Sequence, residues 1–142
     1  MTRILFAHGA EARPGDPPLP ALRQQLGAGY HITAPDLGPP DAAAWTAALK
    51  PLLVEDPGAI LIGHSLGGSH ILKTLAELGP MVRPRAFVGL AVPFWGMPGW
   101  DDPDFALPPY ASEALSALPL RLFHARDDEV VPFDHLAAWK TH

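Results

Sequence analysis

Ser65 stands in the middle of Gly63-His64-Ser65-Leu66-Gly67-Gly68, directly behind the apolar run Ala59-Ile60-Leu61-Ile62. A short apolar run bounded by glycine reads as a buried strand. After the glycines, Ile71, Leu72, Leu75 and Leu78 recur at helical spacing up to a Gly79-Pro80 stop. The serine therefore sits at the tip of a sharp strand-to-helix turn, the arrangement of a nucleophile elbow. Glycine is needed on both sides of it because a side chain at Gly63 or Gly67 would collide with the neighbouring helix and strand. The chemistry open to such a serine is acyl transfer, provided that an imidazole removes its proton and a carboxylate orients that imidazole. The plainer role for Ser65 is to cap the helix behind it.

The elements that must position this serine alternate along the chain. Ile4 to Ala7 reads as a strand, Leu19 to Leu26 as a helix, Tyr30 to Ala34 as a strand, and Asp41 to Leu53 as a helix with Asp41 as its N-cap. Beyond the strand 59–62 and the elbow helix come a strand from Ala86 to Val92, an irregular segment 93–110 and a short helix around Ala111 to Leu118. A strand Leu120 to His124 and a last helix from about Phe133 follow. Alternation of this kind predicts an α/β fold, a doubly wound and mostly parallel sheet with helices on both faces. Functional groups of such sheets gather outside the carboxyl ends of the strands. There the sequence puts His8-Gly9-Ala10, Pro35-Asp36-Leu37-Gly38, Ser65, Val92-Pro93-Phe94-Trp95 and Arg126-Asp127-Asp128.

Composition bounds the setting. The 142 residues, 48% of them apolar, suffice for one core, so residues 1–142 read as a single domain. Eighteen prolines and thirteen glycines are spread between apolar runs and form no repeat, which predicts a loop-rich globular chain. A formal charge of −5 without a Lys/Arg cluster argues against nucleic acid as a partner. Without cysteine there is neither a disulfide framework nor a thiolate zinc site. No signal-peptide pattern opens the chain and no apolar stretch approaches membrane-spanning length, so a cytoplasmic protein with no membrane partner is expected.

Three motifs in order give the chain a family resemblance: His8-Gly9 after the first strand, Gly63-His64-Ser65-Leu66-Gly67-Gly68 at the elbow, and Asp128-Glu129-Val130-Val131-Pro132 after a late strand. Over residues 3–139 it resembles the α/β-hydrolase superfamily, in particular its small single-domain serine hydrolases and esterases. The resemblance implies Ser65 as nucleophile and Asp128 as the orienting acid, since the family acid stands four residues before the Val-Pro proline; Asp127 is then a solvated loop charge. It implies the backbone N–H groups of Leu66 and Ala10 as the oxyanion hole. His8, Gly9 and His64 then border the substrate, and no cofactor is involved.

The general base is where the chain departs from that pattern. The family histidine follows the acid after a further helix and strand, in the order Ser, Asp, His. Here the sequence ends at His142. His8 and His64 belong to the oxyanion loop and elbow, His31 and His124 to strands, and His70 to the elbow helix. His135 comes too soon after Asp128 to reach back over the sheet, and reads as a solvent-facing or packing residue of the last helix. His142 is terminal, where fraying is usual. The expectation is a C-terminally incomplete α/β-hydrolase domain, lacking a last strand, a last helix and the base. If the protein does end there, Leu120-Arg121-Leu122-Phe123 becomes an open edge for a second copy, and an unstable, homodimeric or swapped product with little activity is expected.

Segment 93–110 carries Phe94, Trp95, Met97, Trp100, Phe105 and Tyr110, in the place where the family often inserts a cap. These side chains suggest a pocket for an apolar acyl or alcohol group, with Phe94 and Trp95 touching substrate; the alternative is that the rings only pack the loop onto the sheet. Asp101, Asp102 and Asp104 read as a solvated acidic turn, and without a nearby histidine no metal is expected. Two functions follow. One is a serine hydrolase of small-molecule carboxylic esters, with thioesterase, amidase or peptidase chemistry open to the same machinery. The other is a non-catalytic binding or scaffold module of the same fold that lost its histidine.

Overall fold

The first strand, β1 (Thr2–Ala7), sends its side chains alternately to two apolar layers: Leu5 and Ala7 to one, Ile4 and Phe6 to the other. A strand buried on both faces needs helices on both sides, and it gets them. The computed structural model describes residues 1–141. In it β1 is flanked by β2 (Tyr30–Thr33) and β3 (Ile60–His64), and β4 (Ala86–Leu90) and β5 (Leu120–Phe123) continue outward from β3. All neighbours pair in parallel, in the order β2-β1-β3-β4-β5, with registers such as Ile4 opposite Ile60 and Ile62 opposite Val88.

Two helices cover the first layer. On α2 (Ala42–Glu55), Trp45, Leu49 and Leu53 are fully buried, and α3 (Leu66–Leu78) adds Ile71, Leu72 and Leu75 against Leu61 and Phe87. Each such leucine contributes about 2 kcal/mol by leaving water. On the opposite layer α1 (Leu19–Leu26) packs Leu19 and Leu22 against Ile4, Phe6 and Ile62. A short α4 (Ala111–Ala114) precedes β5, and α5 (Asp134–Thr141) follows it. As the sequence requires, Asp41 caps α2, its Oδ1 accepting from the Ala44 amide at 3.0 Å.

Two expected elements are shorter than their apolar spacing suggests. The helix predicted over 111–118 stops at Ala114, yet Leu115 and Leu118 still pack on the core from successive turns. The strand predicted to Val92 ends at Leu90, because Ala91 takes a φ of 52°, outside strand geometry. Beyond β4, β5 has no other strand neighbour among the described residues, and Phe123 is 58% exposed. No helix among the described residues is long and apolar enough to cross a membrane.

The joint between α2 and α3 contains a buried imidazole. His70, fully buried between the edges of Trp45 and Phe105, bonds through Nε2 to Thr46 Oγ1 at 2.8 Å. Burial, followed by the Lys73 charge, pushes its pKa down to about 4 against a weaker upward pull from the Ala42 backbone. The unfolded chain takes up this proton near pH 6.5, whereas the folded chain resists it until about pH 4. Stability from this group is therefore complete above pH 6.5 and lost as the pH falls towards 4, by on the order of 3 kcal/mol. Urea midpoints measured across that window should fall steeply for the wild type and much less for His70→Gln, whose amide can keep the bond to Thr46.

Candidate active site

Ser65 holds a φ of 51° and a ψ of −125°, a conformation that costs a non-glycine residue about 1–3 kcal/mol. Three backbone bonds sustain it: the Ser65 amide donates to Leu90 O at 2.8 Å, and the Gly68 and Ser69 amides donate to Ser65 O at 3.0 and 3.3 Å. The flanking glycines sit in contact too close for any side chain. A Cβ on Gly63 would stand 2.7 Å from Gly68 N, and one on Gly67 2.6 Å from the Ala7 carbonyl carbon, both backbone atoms with nowhere to retreat. Ser65 remains half-buried, and among the described residues no group hydrogen-bonds to its hydroxyl.

The two expected oxyanion donors flank this serine. Leu66 supplies the first amide of α3, which has no acceptor inside the helix and lies at the positive end of its dipole. Ala10 lies past Gly9, whose own Cβ would fall 3.3 Å from Ser65 Cβ, so the loop backbone rests against Ser65. The Gly9 carbonyl is held by His8 Nδ1 at 2.7 Å and by the Ala12 amide at 3.3 Å. Because one planar trans peptide contains both the Gly9 carbonyl and the Ala10 N–H, fixing the first fixes the second on the opposite side. His8 was expected to border the substrate. It is instead 2% exposed and turned inward: Nε2 accepts from the Leu37 amide at 2.9 Å and the ring meets Trp45 edge-on at 5.5 Å. Donating at Nδ1 and accepting at Nε2, the His8 ring joins the loops after β1 and β2.

Asp128 and Asp127 differ as neighbours in a tight turn often do. Asp127 is exposed, while the partly buried Asp128 accepts from the Val130 and Val131 amides on Oδ1 at 2.9 and 2.8 Å. Its Oδ2 lies 3.6 Å from His124 Nε2, which donates to Val131 O at 2.8 Å. His64 and Asp128 border an open hollow of about 510 Å³ walled by Leu90, Ala91 and Phe123; Ser65 lies outside that wall. Burial lowers the pKa of His64, the Asp128 charge pulling it up and His8 pushing it down, so the ring is neutral at pH 7. Among the described residues its buried Nδ1 has no hydrogen-bond partner.

None of the described histidines bridges Ser65 and Asp128. His31 is exposed on β2, His70 serves α2 and α3, and His142 lies outside the described residues. His135, expected to face solvent or to pack, is 1% exposed, and its Nδ1 accepts from the Phe94 amide at 2.8 Å. The roles of His124 and His135 had no local signal in the sequence, since their partners lie 7 and 41 residues away.

In segment 93–110 the rings both pack and line space. Trp95 stacks on Phe105 at 5.4 Å and donates from Nε1 to Ser69 Oγ at 3.2 Å, which ties it to the first turns of α3. Phe94 meets Trp139 edge-on at 4.9 Å. Phe94 and Trp95 border a groove of about 740 Å³ together with Leu107, Leu115 and Trp139. Among the described residues no cluster of three or more histidines and carboxylates is placed to hold a metal ion.

No sequence family and no curated protein matches the chain. Its fold does have solved counterparts. The ydeN gene product of B. subtilis superposes with a TM-score of 0.85 at 18% identity, over 99% of this chain and 80% of that one. A Xanthomonas campestris pv. campestris protein assigned to the alpha/beta superfamily of hydrolases gives 0.72 at 22% identity, over 99% and 81%. Est1E from Butyrivibrio proteoclasticus gives 0.70 at 15%, over 99% and 73%. With its five-stranded parallel sheet and flanking helices, the chain has the α/β-hydrolase fold.

Two substitutions, with Gly58→Ala as a control, check the geometry of this site. Gly67→Ala should destabilise by about 3 kcal/mol or more, whereas Gly58→Ala, which meets nothing within 4 Å, should stay within about 0.5 kcal/mol of wild type in urea unfolding. His8→Ala leaves the buried Leu37 amide without its acceptor and should cost about 2–4 kcal/mol, with faster deuterium exchange at Leu37.

Proposed function

We propose that the chain is a serine hydrolase that cleaves carboxylic esters with small or medium apolar groups through an acyl-enzyme on Ser65. The observation that carries the proposal is the strained serine at the amino end of α3, on the carboxyl side of a parallel sheet. A helix-capping serine needs no positive φ, and its hydroxyl accepts from the helix amides; the Ser65 side chain makes no such bond.

In the first half-reaction Ser65 Oγ attacks the ester carbonyl carbon while its proton passes to a base. The carbonyl oxygen becomes an oxyanion that accepts from the Leu66 and Ala10 amides. As the tetrahedral intermediate collapses, the alkoxide leaves with the proton from the base. Water then attacks the acyl carbon, gives its proton to the same base, and Ser65 departs with it. Asp128, with one carboxylate oxygen fixed by two amides, orients the imidazole through the other. None of the described rings is placed to be that imidazole. Phe94 and Trp95 offer an apolar wall to the acyl or alcohol group. The neighbour assigned to a hydrolase superfamily agrees with this choice.

The test is fluorophosphonate labelling of the protein from its natural source, with its intact mass read on the same sample. Labelling should fall on Ser65, vanish in Ser65→Ala and slow by about 10²-fold or more in Asp128→Asn. A folded protein of 15.2 kDa that leaves the probe unreacted would sink the enzyme and leave a binding module of the same fold.

A further inference from the structure

Among the described residues, four side chains hydrogen-bond the stretch after β4 to the helices around it. Trp139 Nε1 donates to Val92 O at 3.0 Å, the Phe94 amide donates to His135 Nδ1 at 2.8 Å, Trp95 Nε1 donates to Ser69 Oγ at 3.2 Å, and Lys73 Nζ donates to Asp104 O. Two of the four are indole N–H groups and one is an ammonium, and none of these changes its capacity to donate near neutral pH. His135 differs in kind. It accepts only while Nδ1 carries no proton, and it does so 1% exposed, beneath the edge of Trp100 at 5.0 Å.

We infer that His135 is a positioning residue and a pH-sensitive latch: its neutral ring holds the Phe94 backbone against α5, and protonation breaks that bond. Once protonated, Nδ1 and the Phe94 amide are two donors facing each other, and the bond is lost. The titratable groups whose charge reaches the ring are Asp134, next to it on α5, and His124 at the end of β5. Asp134 favours the proton and His124 opposes it. The groups that face it from the segment, the Phe94 amide and the Trp100 ring, carry no charge. Burial outweighs both charges and lowers the pKa, so the latch is closed at pH 7 and opens below the ordinary histidine range. Because Phe94 packs on Trp139 and both border the 740 Å³ groove, opening moves a wall of that groove. The latch rests on the proposed function only in that Phe94 and Trp95 contact substrate; the conformational change does not.

Amide hydrogen exchange of wild type and His135→Asn at pH 7.5 and pH 5, corrected for the intrinsic pH dependence of exchange, tests this. In wild type the Phe94 amide should lose protection at pH 5 while the β3 amides keep theirs. In His135→Asn the amide oxygen can take the place of Nδ1 and gains no proton, so Phe94 should stay protected at both values. The inference is overturned if wild-type Phe94 keeps its protection, if Phe94 and β3 lose it together, or if the Asn variant loses it equally. Should that variant not fold, the wild-type comparison of Phe94 with β3 decides alone. Labelling of Ser65 is no part of the readout, so the latch and the hydrolase stand or fall separately.

Discussion

The first turn of α3 lies backbone against backbone on the ends of β1 and β3, and the rest of the site depends on that contact. Gly67 meets the Ala7 and His8 carbonyls, and Gly63 meets Gly68, at distances that leave no volume for a methyl group. So close an approach fixes where the helix begins, and hence where its first amide and the serine before it must be. The strain at Ser65 persists because most of α3 is buried and because Leu90 O holds the Ser65 amide. Relaxing one residue would mean lifting a helix off the core. That is how a small domain keeps an unfavourable backbone conformation at a functional position.

Imidazole does structural work elsewhere in the molecule. His8, His70, His124 and His135 each join parts of the chain that are distant in sequence or turn sharply, through backbone or hydroxyl partners. A neutral imidazole suits this because it carries one donor and one acceptor on a rigid, largely apolar ring, so it can be buried where a charged group could not. The loops around Asp128 and Gly9 are held by the same means. Their backbone dipoles are fixed by the fold itself, the kind of preorganisation on which the proposed acyl transfer would draw.

Much of this was legible because it is local. The glycines around Ser65, the cap at Asp41 and the apolar spacing of α1 and α3 act within a turn or two of themselves, and the sequence displays them directly. The parallel sheet could be read from strand-helix alternation, since parallel neighbours require long crossovers. What escaped is set by distant partners. Leu115 and Leu118 carry helical spacing but reach the core from turns, and the positive φ of Ala91 answers to Phe123 O, not to its own side chain. His8 looked like a wall of the substrate site because its position in the motif is visible and the direction of its ring is not. His135 gave no sign at all, its partner being the backbone of a segment on the far side of two elements.

The strand order also governs how the chain can be assembled as it is made. β1 is made before every strand it pairs with, yet it lies inside the sheet, and one of its two neighbours is β3, with Ile4 opposite Ile60. Those partners are 56 residues apart (60 minus 4), which at ribosomal rates of about 5–20 residues per second is roughly 3–11 s of waiting. During that interval Ile4, Leu5 and Phe6 form an apolar strand with an unpaired edge, and no hairpin partner can shield it because every pairing in this sheet is parallel. The nascent chain therefore carries this apolar segment without its β3 partner for as long as β3 remains inside the ribosome.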